Sequence, residues 1–235
     1  MPMMCHSPDF TRPEASRREV EVAETRRMIA LTAELGGGFC RVLSGQNRPG
    51  LDAAEATRWV VECLIALLPD AERHGIVLVM ENHYKDGLWL HPEFAQSHAR
   101  YLAILDAVAS PWLRVQYDPS NAIVAGEDQY ALLERVLPRV ATVQASDRYL
   151  EGGTVEDLRR IAADPGHGYA PFLKHGVIGR GMNDYDRIFS TLAGAGFDGW
   201  ISIEDGEGET IDQGMANLRE SVAFLRRKIA EHFPA

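Results

Sequence analysis

The chain has 235 residues, 46% hydrophobic and 25% charged, with a net charge of -10. That length supplies a large core without a disulfide or structural metal to staple it. The acidic balance argues against a nucleic-acid or anionic-membrane surface, which would be built from clustered lysine and arginine.

Predicted elements alternate along the chain. Apolar positions at helical spacing (Val20, Ala23, Met28, Leu31, Leu35) predict a helix over 17–35, stopped by Gly36-Gly37-Gly38. Residues 39–43 read as a strand, and a helix follows over 52–68 with Asp52 as its N-cap. The continuously apolar run 76–80 reads as a strand buried on both faces. A helix over 92–108, a strand over 113–117, a helix over 128–136 and a strand over 140–143 come next. A long Gly-rich connection covers 150–183. A helix over 184–194, a strand over 200–203 and a helix over 212–231 close the chain. Such alternation implies parallel strands with helical crossovers, either in an open doubly wound sheet or in a closed barrel. No G-x-G-x-x-G follows an early strand, which weakens the dinucleotide-binding form of the open sheet. Without a repeat or linker, residues 1–235 read as one domain.

Three cysteines, Cys5, Cys40 and Cys63, are odd in number and unpatterned. They suit reduced thiols, with the cytoplasm as the default compartment. No basic-then-apolar leader is present, and no stretch approaches the roughly 18 apolar residues of a membrane span.

Polar residues stand where the strands stop. Met80 is followed by Glu81-Asn82-His83, Tyr117 by Asp118-Pro119-Ser120-Asn121, Val143 by Gln144-Ala145-Ser146-Asp147-Arg148, and Ile203 by Glu204-Asp205. In a barrel these ends converge on the face that carries active sites. Clustered carboxylates repel one another unless a cation is shared among them, and oxygen-rich donors favour Mg2+ or Mn2+ over Zn2+ or Co2+. The plainer reading is that each acid simply caps the next helix. Asp147 is equally open to capping or to pairing with Arg148. His74, His91, His98 and His232 read as ordinary surface histidines, whereas His83 stands directly after a strand.

These motifs resemble the xylose isomerase-like TIM barrel superfamily of sugar phosphate isomerases and epimerases. GIVLVMEN (75–82) looks like its fifth strand, VQYDPSN (115–121) its sixth and VQASDR (143–148) its seventh. The most specific match is 178–204, with Gly179 and Gly181 before a helix, then Gly196-Phe197-Asp198-Gly199 and a strand ending in Glu204. The resemblance implies a (β/α)8 TIM barrel lacking the first two β/α units, with about six parallel strands. It offers three origins for that gap: a truncated gene model, a natural fragment, or a barrel completed by another subunit. An open barrel exposes strand edges, which favours either association, as in a homo-oligomer, or instability.

The resemblance also implies one divalent metal, Mn2+ or Mg2+ ahead of Co2+ or Zn2+, held by Glu81, Asp118, Gln144 and Glu204. Gln144 stands where the family has a histidine. Glu81 and Glu204 are the implied catalytic acid-base pair for proton transfer beside a carbonyl through an enediolate. His83, Asn121 and Arg148 are the implied substrate contacts, for a small-molecule carbohydrate, and His175, before the glycine turn, is open to lining the mouth of the pocket or to a structural hydrogen bond within its loop. Epimerisation or isomerisation is the leading expectation. The alternatives are a metal-dependent dehydratase or lyase acting on keto-sugars or keto-inositols, and a degenerate, non-catalytic barrel. A repair endonuclease, which the superfamily also contains, fits poorly with the acidic charge.

Overall fold

Short apolar strands separated by helices with one apolar stripe leave a chain few options other than parallel pairing with the helices laid over the strands. A computed structural model of the protein describes residues 2–162, 170–204 and 208–233. Asp205 therefore lies outside the described residues, as does part of the connection over 150–183. The chain divides into two compact units, the first built on Met1–Gln116 and the second on Tyr117–Ile161 and Tyr169–Ala235.

In the first unit four strands, β1 (Met3–Cys5), β2 (Phe39–Val42), β3 (Val77–Glu81) and β4 (Leu113–Tyr117), pair in parallel in chain order. Helices α1 (Ala15–Glu34), α2 (Ala53–His74) and α3 (His98–Ala107) connect them. In β3 Leu78, Val79, Met80 and Glu81 are all buried, as a parallel strand covered on both faces requires. The stripe that α2 buries includes Ala56, Trp59, Val60, Cys63, Leu64, Leu67 and Ala71, each with a partner three or four residues away on the same face. Asp52 caps it by accepting the Glu55 N–H at 2.8 Å. This helix passes through Pro69 to His74, six residues beyond the predicted end. Proline removes one helical hydrogen bond. Continued burial of Asp70 and Ala71, with Arg26 donating to Asp70 at 2.8 Å and to the Ala66 carbonyl at 3.0 Å, holds the turn together. Gly75, at φ 65°, then ends it in the left-handed conformation. The helix predicted over 92–108 is two pieces, a single 3-10 turn at Phe94–Gln96 and then α3.

The second unit holds α4 (Pro119–Val124), α5 (Gln129–Val136), β5 (Val140–Ala145), β6 (Arg148–Leu150), α6 (Val155–Ala162), β7 (Leu173–His175), α7 (Tyr185–Gly194), β8 (Trp200–Ile203) and α8 (Ile211–His232). β5 and β8 pair in parallel, Thr142 opposite Trp200 through Ala145 opposite Ile203. With β1–β4 this makes six strands in parallel pairings among the described residues, as expected. Three local expectations change. β5 runs two residues past its predicted end, so Gln144 is part of the strand rather than following it. The connection over 150–183 is not featureless: it contains α6, and β7 pairs antiparallel with β6. The short helix α4 was also unforeseen, because Asp118-Pro119 reads equally well as a turn. All three cysteines are unbridged. No helix among the described residues is long and apolar enough to cross a membrane.

Candidate metal centre

In the second unit an acid stands directly after β8, and another opens α4. Asp118 is fully buried and caps α4: its Oδ1 accepts the N–H groups of Ser120 (2.8 Å) and Asn121 (3.1 Å) and the hydroxyl of Ser146 (2.7 Å). The capping alternative is thus correct for this residue. The cap also fixes the carboxylate in place, and an oxygen of Asp118 lies within 4.8 Å of one from Glu204. Glu204 directly follows β8 and donates its N–H to the Ala145 carbonyl at 2.9 Å, continuing the β5–β8 ladder. Within that ladder Gln144 stands opposite Ser202, two residues before Glu204, so the three side chains share one face. Ser202 Oγ lies 2.9 Å from Gln144 Oε1 and donates to it.

Behind these residues the loop from β5 to α7 is tied down by Asp147. Its carboxylate accepts from the backbone N–H groups of Gly179 (2.9 Å), Gly181 (3.0 Å), Asn183 (3.1 Å) and Arg148 (3.0 Å). Burial raises this carboxyl against the pull of those four donors. Asp147 therefore organises the loop and makes no ion pair with the Arg148 side chain. A Cβ on Gly181 would run into that carboxylate, which is why glycine stands there. Arg148, among the largest fully buried side chains, faces His175 across the β6–β7 ladder, with Nη1 3.0 Å from His175 Nε2. A guanidinium only donates, so His175 Nε2 accepts and the ring proton sits on Nδ1. His175 also lines a cleft of about 1070 Å3 with Tyr149, Lys174 and the first turns of α8. Asn121 is buried through α4, where its N–H is used by Asp118.

In the first unit Glu81 is the last residue of β3 and is 1% exposed. Burial raises its carboxyl, and Arg41 pulls it back down through an Nη1–Oε2 ion pair of 2.9 Å. His83 is buried and stacks on Tyr84 with ring centroids 5.3 Å apart.

Two residues of this unit were missed from sequence. Arg41 lies in the middle of β2, where attention to strand ends does not reach. The signal was there: a lone cation inside the apolar run Phe39-Cys40-Arg41-Val42-Leu43 needs a buried partner. Glu93 lies in what read as the start of a helix. It is fully buried, and its Oε1 accepts the N–H and the hydroxyl of Ser44, both at 2.7 Å. Burial pushes its carboxyl up to about 8 despite those bonds. Next to Ser44, Gly45 takes φ 124°, and a Cβ there would collide with Thr11 and Asp9.

A second acidic group, Asp186, Glu231 and His232, also gathers within 4.8 Å. Lys228 already sits in it, 2.7 Å from Asp186 and 2.8 Å from Glu231, so an ammonium supplies the positive charge.

The sequence matches the family described as xylose isomerase-like TIM barrel over residues 1–228. Inosose dehydratase of Bacillus thuringiensis (strain Al Hakam) is 21% identical over 161 residues, 67% of this chain and 50% of the relative. The chain thus spans about half the length of the curated relatives it matches. Among solved structures, the IOLI protein with a bound zinc atom aligns at TM-score 0.73 and 14% identity, covering 99% of this chain and 78% of that one. L-ribulose 3-epimerase aligns at TM-score 0.69 and 17% identity, covering 97% and 75%. Likeness at these identities carries the fold, and it agrees with the strand count, the parallel pairing and the motif positions: the chain belongs to the xylose isomerase-like TIM barrel family.

Proposed function

We propose that the chain carries the metal centre of a divalent-metal-dependent enzyme that moves a proton at the carbon beside a carbonyl of a small carbohydrate. Glu81, Asp118, Gln144 and Glu204 are its metal-holding residues, and Mn2+ or Mg2+ is the ion. One observation carries the proposal: the carboxylates of Asp118 and Glu204, 86 positions apart in sequence, present oxygens within 4.8 Å of each other in a partly buried setting. Two such acids are costly to keep ionised side by side without a cation. The donor set fits the group. Three carboxylates and an amide oxygen form a hard, all-oxygen set, which suits Mn2+ or Mg2+ better than the zinc of the IOLI structure.

When bound, such an ion supplies electrostatic stabilisation for negative charge developing on the substrate's oxygens. The remaining work belongs to the chain. Glu204 and Glu81 take the two proton-transfer roles, one removing the proton and the other returning it. Asp118, fixed by its cap and by Ser146, serves as a positioned ligand rather than a mobile base. Arg148, His175, His83 and Asn121 bind and orient the substrate, with His175 lining the second unit's cleft and Arg148 bonded to it from behind. The same proposal places the chain in the cytoplasm and in a homo-oligomer.

Proton return without loss of a group gives an isomerase or epimerase, and the likeness to L-ribulose 3-epimerase supports it. The inosose dehydratase relative favours a second reading, in which proton removal is followed by loss of a β-hydroxyl from a keto-inositol or keto-sugar. Incubation with Mn2+ and a panel of ketoses and keto-inositols in D2O tests both. Deuterium should enter the carbon next to the carbonyl, and Glu204→Gln should abolish that uptake. An isomeric product identifies the first reading and a dehydrated one the second. A Mn2+-loaded protein that exchanges no proton with any of them would refute the proposal.

A further inference from the structure

Arg41 and Glu81 are placed together by strand register. In the β2–β3 ladder Arg41 stands beside Val79, and Glu81 lies two residues further along β3, on the same face as Val79. The guanidinium spans that diagonal, with Nη1 2.9 Å from Glu81 Oε2 and the two side chains 11% and 1% exposed. Its other arm is anchored: Nη2 donates to Ser7 Oγ at 3.1 Å, and Ser7 Oγ donates to Asp86 Oδ2 at 2.7 Å. The carboxylate of Glu81 in turn holds the Arg41 charge above its ordinary range against the cost of burial. This is a built ion pair on a residue that the proposed function assigns to a metal.

Residues that back a metal ligand are normally carboxylates, carbonyls or waters, which raise the ligand's donor strength. A guanidinium has the opposite sign. It occupies carboxylate lone pairs, and it sets a positive charge beside an arriving cation where the dielectric is low. Affinity at oxygen-donor sites follows the count of ligand charges. In the proposed centre Glu81, Asp118 and Glu204 would bring three negative charges, of which Arg41 would cancel one.

Resting on the metal-centre reading above, we propose that Arg41 is a built-in competitor of the metal ion. It holds Glu81 in an ion pair that the ion must share or displace, and it thereby keeps the chain's affinity for divalent cations low.

Titration of the purified chain with Mn2+ alone, followed by calorimetry and by the electron paramagnetic resonance of free Mn2+, tests this. Arg41→Gln tightens Mn2+ binding by about tenfold or more, because a charged hydrogen bond no longer competes. Arg41→Lys retains the charge and stays within a few-fold of the wild type. Should Arg41→Gln fail to fold, Ser7→Ala loosens the guanidinium without removing it and tightens binding by a smaller factor. Equal or weaker Mn2+ binding in the folded variant, with the wild type binding, overturns the role of Arg41 and leaves the metal centre standing. Absence of Mn2+ binding in wild type and variant alike overturns the metal centre and this inference with it.

Discussion

Glu93→Gln isolates the energetics of one buried acid. Glu93 is fully buried, and its Oε1 takes the N–H and hydroxyl of Ser44, whose oxygen in turn accepts the Ala95 N–H at 3.0 Å. Burial raises its carboxyl from the ordinary 4.5 to about 8. The folded chain therefore keeps this proton in a window where the unfolded chain has released it. Stability from this group is fully present below pH 4.5, declines as pH rises through the window, and is gone above about 8. At about 1.4 kcal/mol per unit, a gap of about 3.5 units sets a ceiling of about 5 kcal/mol. For a chain of this size that corresponds to roughly 10–20 °C in Tm. Glutamine keeps an oxygen for Ser44 and cannot ionise. Calorimetric melting of wild type and variant from pH 5 to 9 should give curves that meet at low pH and diverge upward, the variant being the more stable at pH 9. Curves that stay parallel across the range would show that the reasoning about Glu93 is wrong.

Two further substitutions probe the second unit. Gly181→Ala forces a methyl into the Asp147 carboxylate and the Arg148 carbonyl, and should cost about 1–3 kcal/mol in urea unfolding, the range for an overpacked site. Unchanged stability would mean that the Asp147 clamp does not hold the loop. Gln144→His restores the imidazole that the family resemblance implies. It should shift preference from Mn2+ towards Zn2+ in competitive titration, whereas an unchanged order of affinity would remove residue 144 from the ligand set.

The parts of this protein legible in its sequence are those written by local periodicity. Strand and helix alternation, the Asp52 cap and the Gly196 turn all follow from spacings within a few residues, and each recurs in the structure. Asp118 was legible as an acid at a strand end but not as a cap and candidate ligand together, since the cap depends on the unforeseen helix α4. Gln144 falls inside its strand rather than after it because β5 continues for as long as β8 runs beside it, a pairing between residues nearly 60 positions apart. Arg41 and Glu93 were hidden for the same reason. What matters about each is a partner supplied by tertiary packing, Glu81 for one and Ser44 for the other. The extension of α2 through Pro69 reverses a strong local signal, because buried contacts on the last turn outweigh one lost hydrogen bond.

Anomalous scattering from a Mn2+-soaked crystal would show whether acids from separate strands share one cation. The account predicts a single strong peak bounded by side-chain oxygens of Glu81, Asp118, Gln144 and Glu204, lost in Glu204→Gln. A crystal that shows no peak there, or shows Mn2+ only at Asp186, Glu231 and His232, would contradict it.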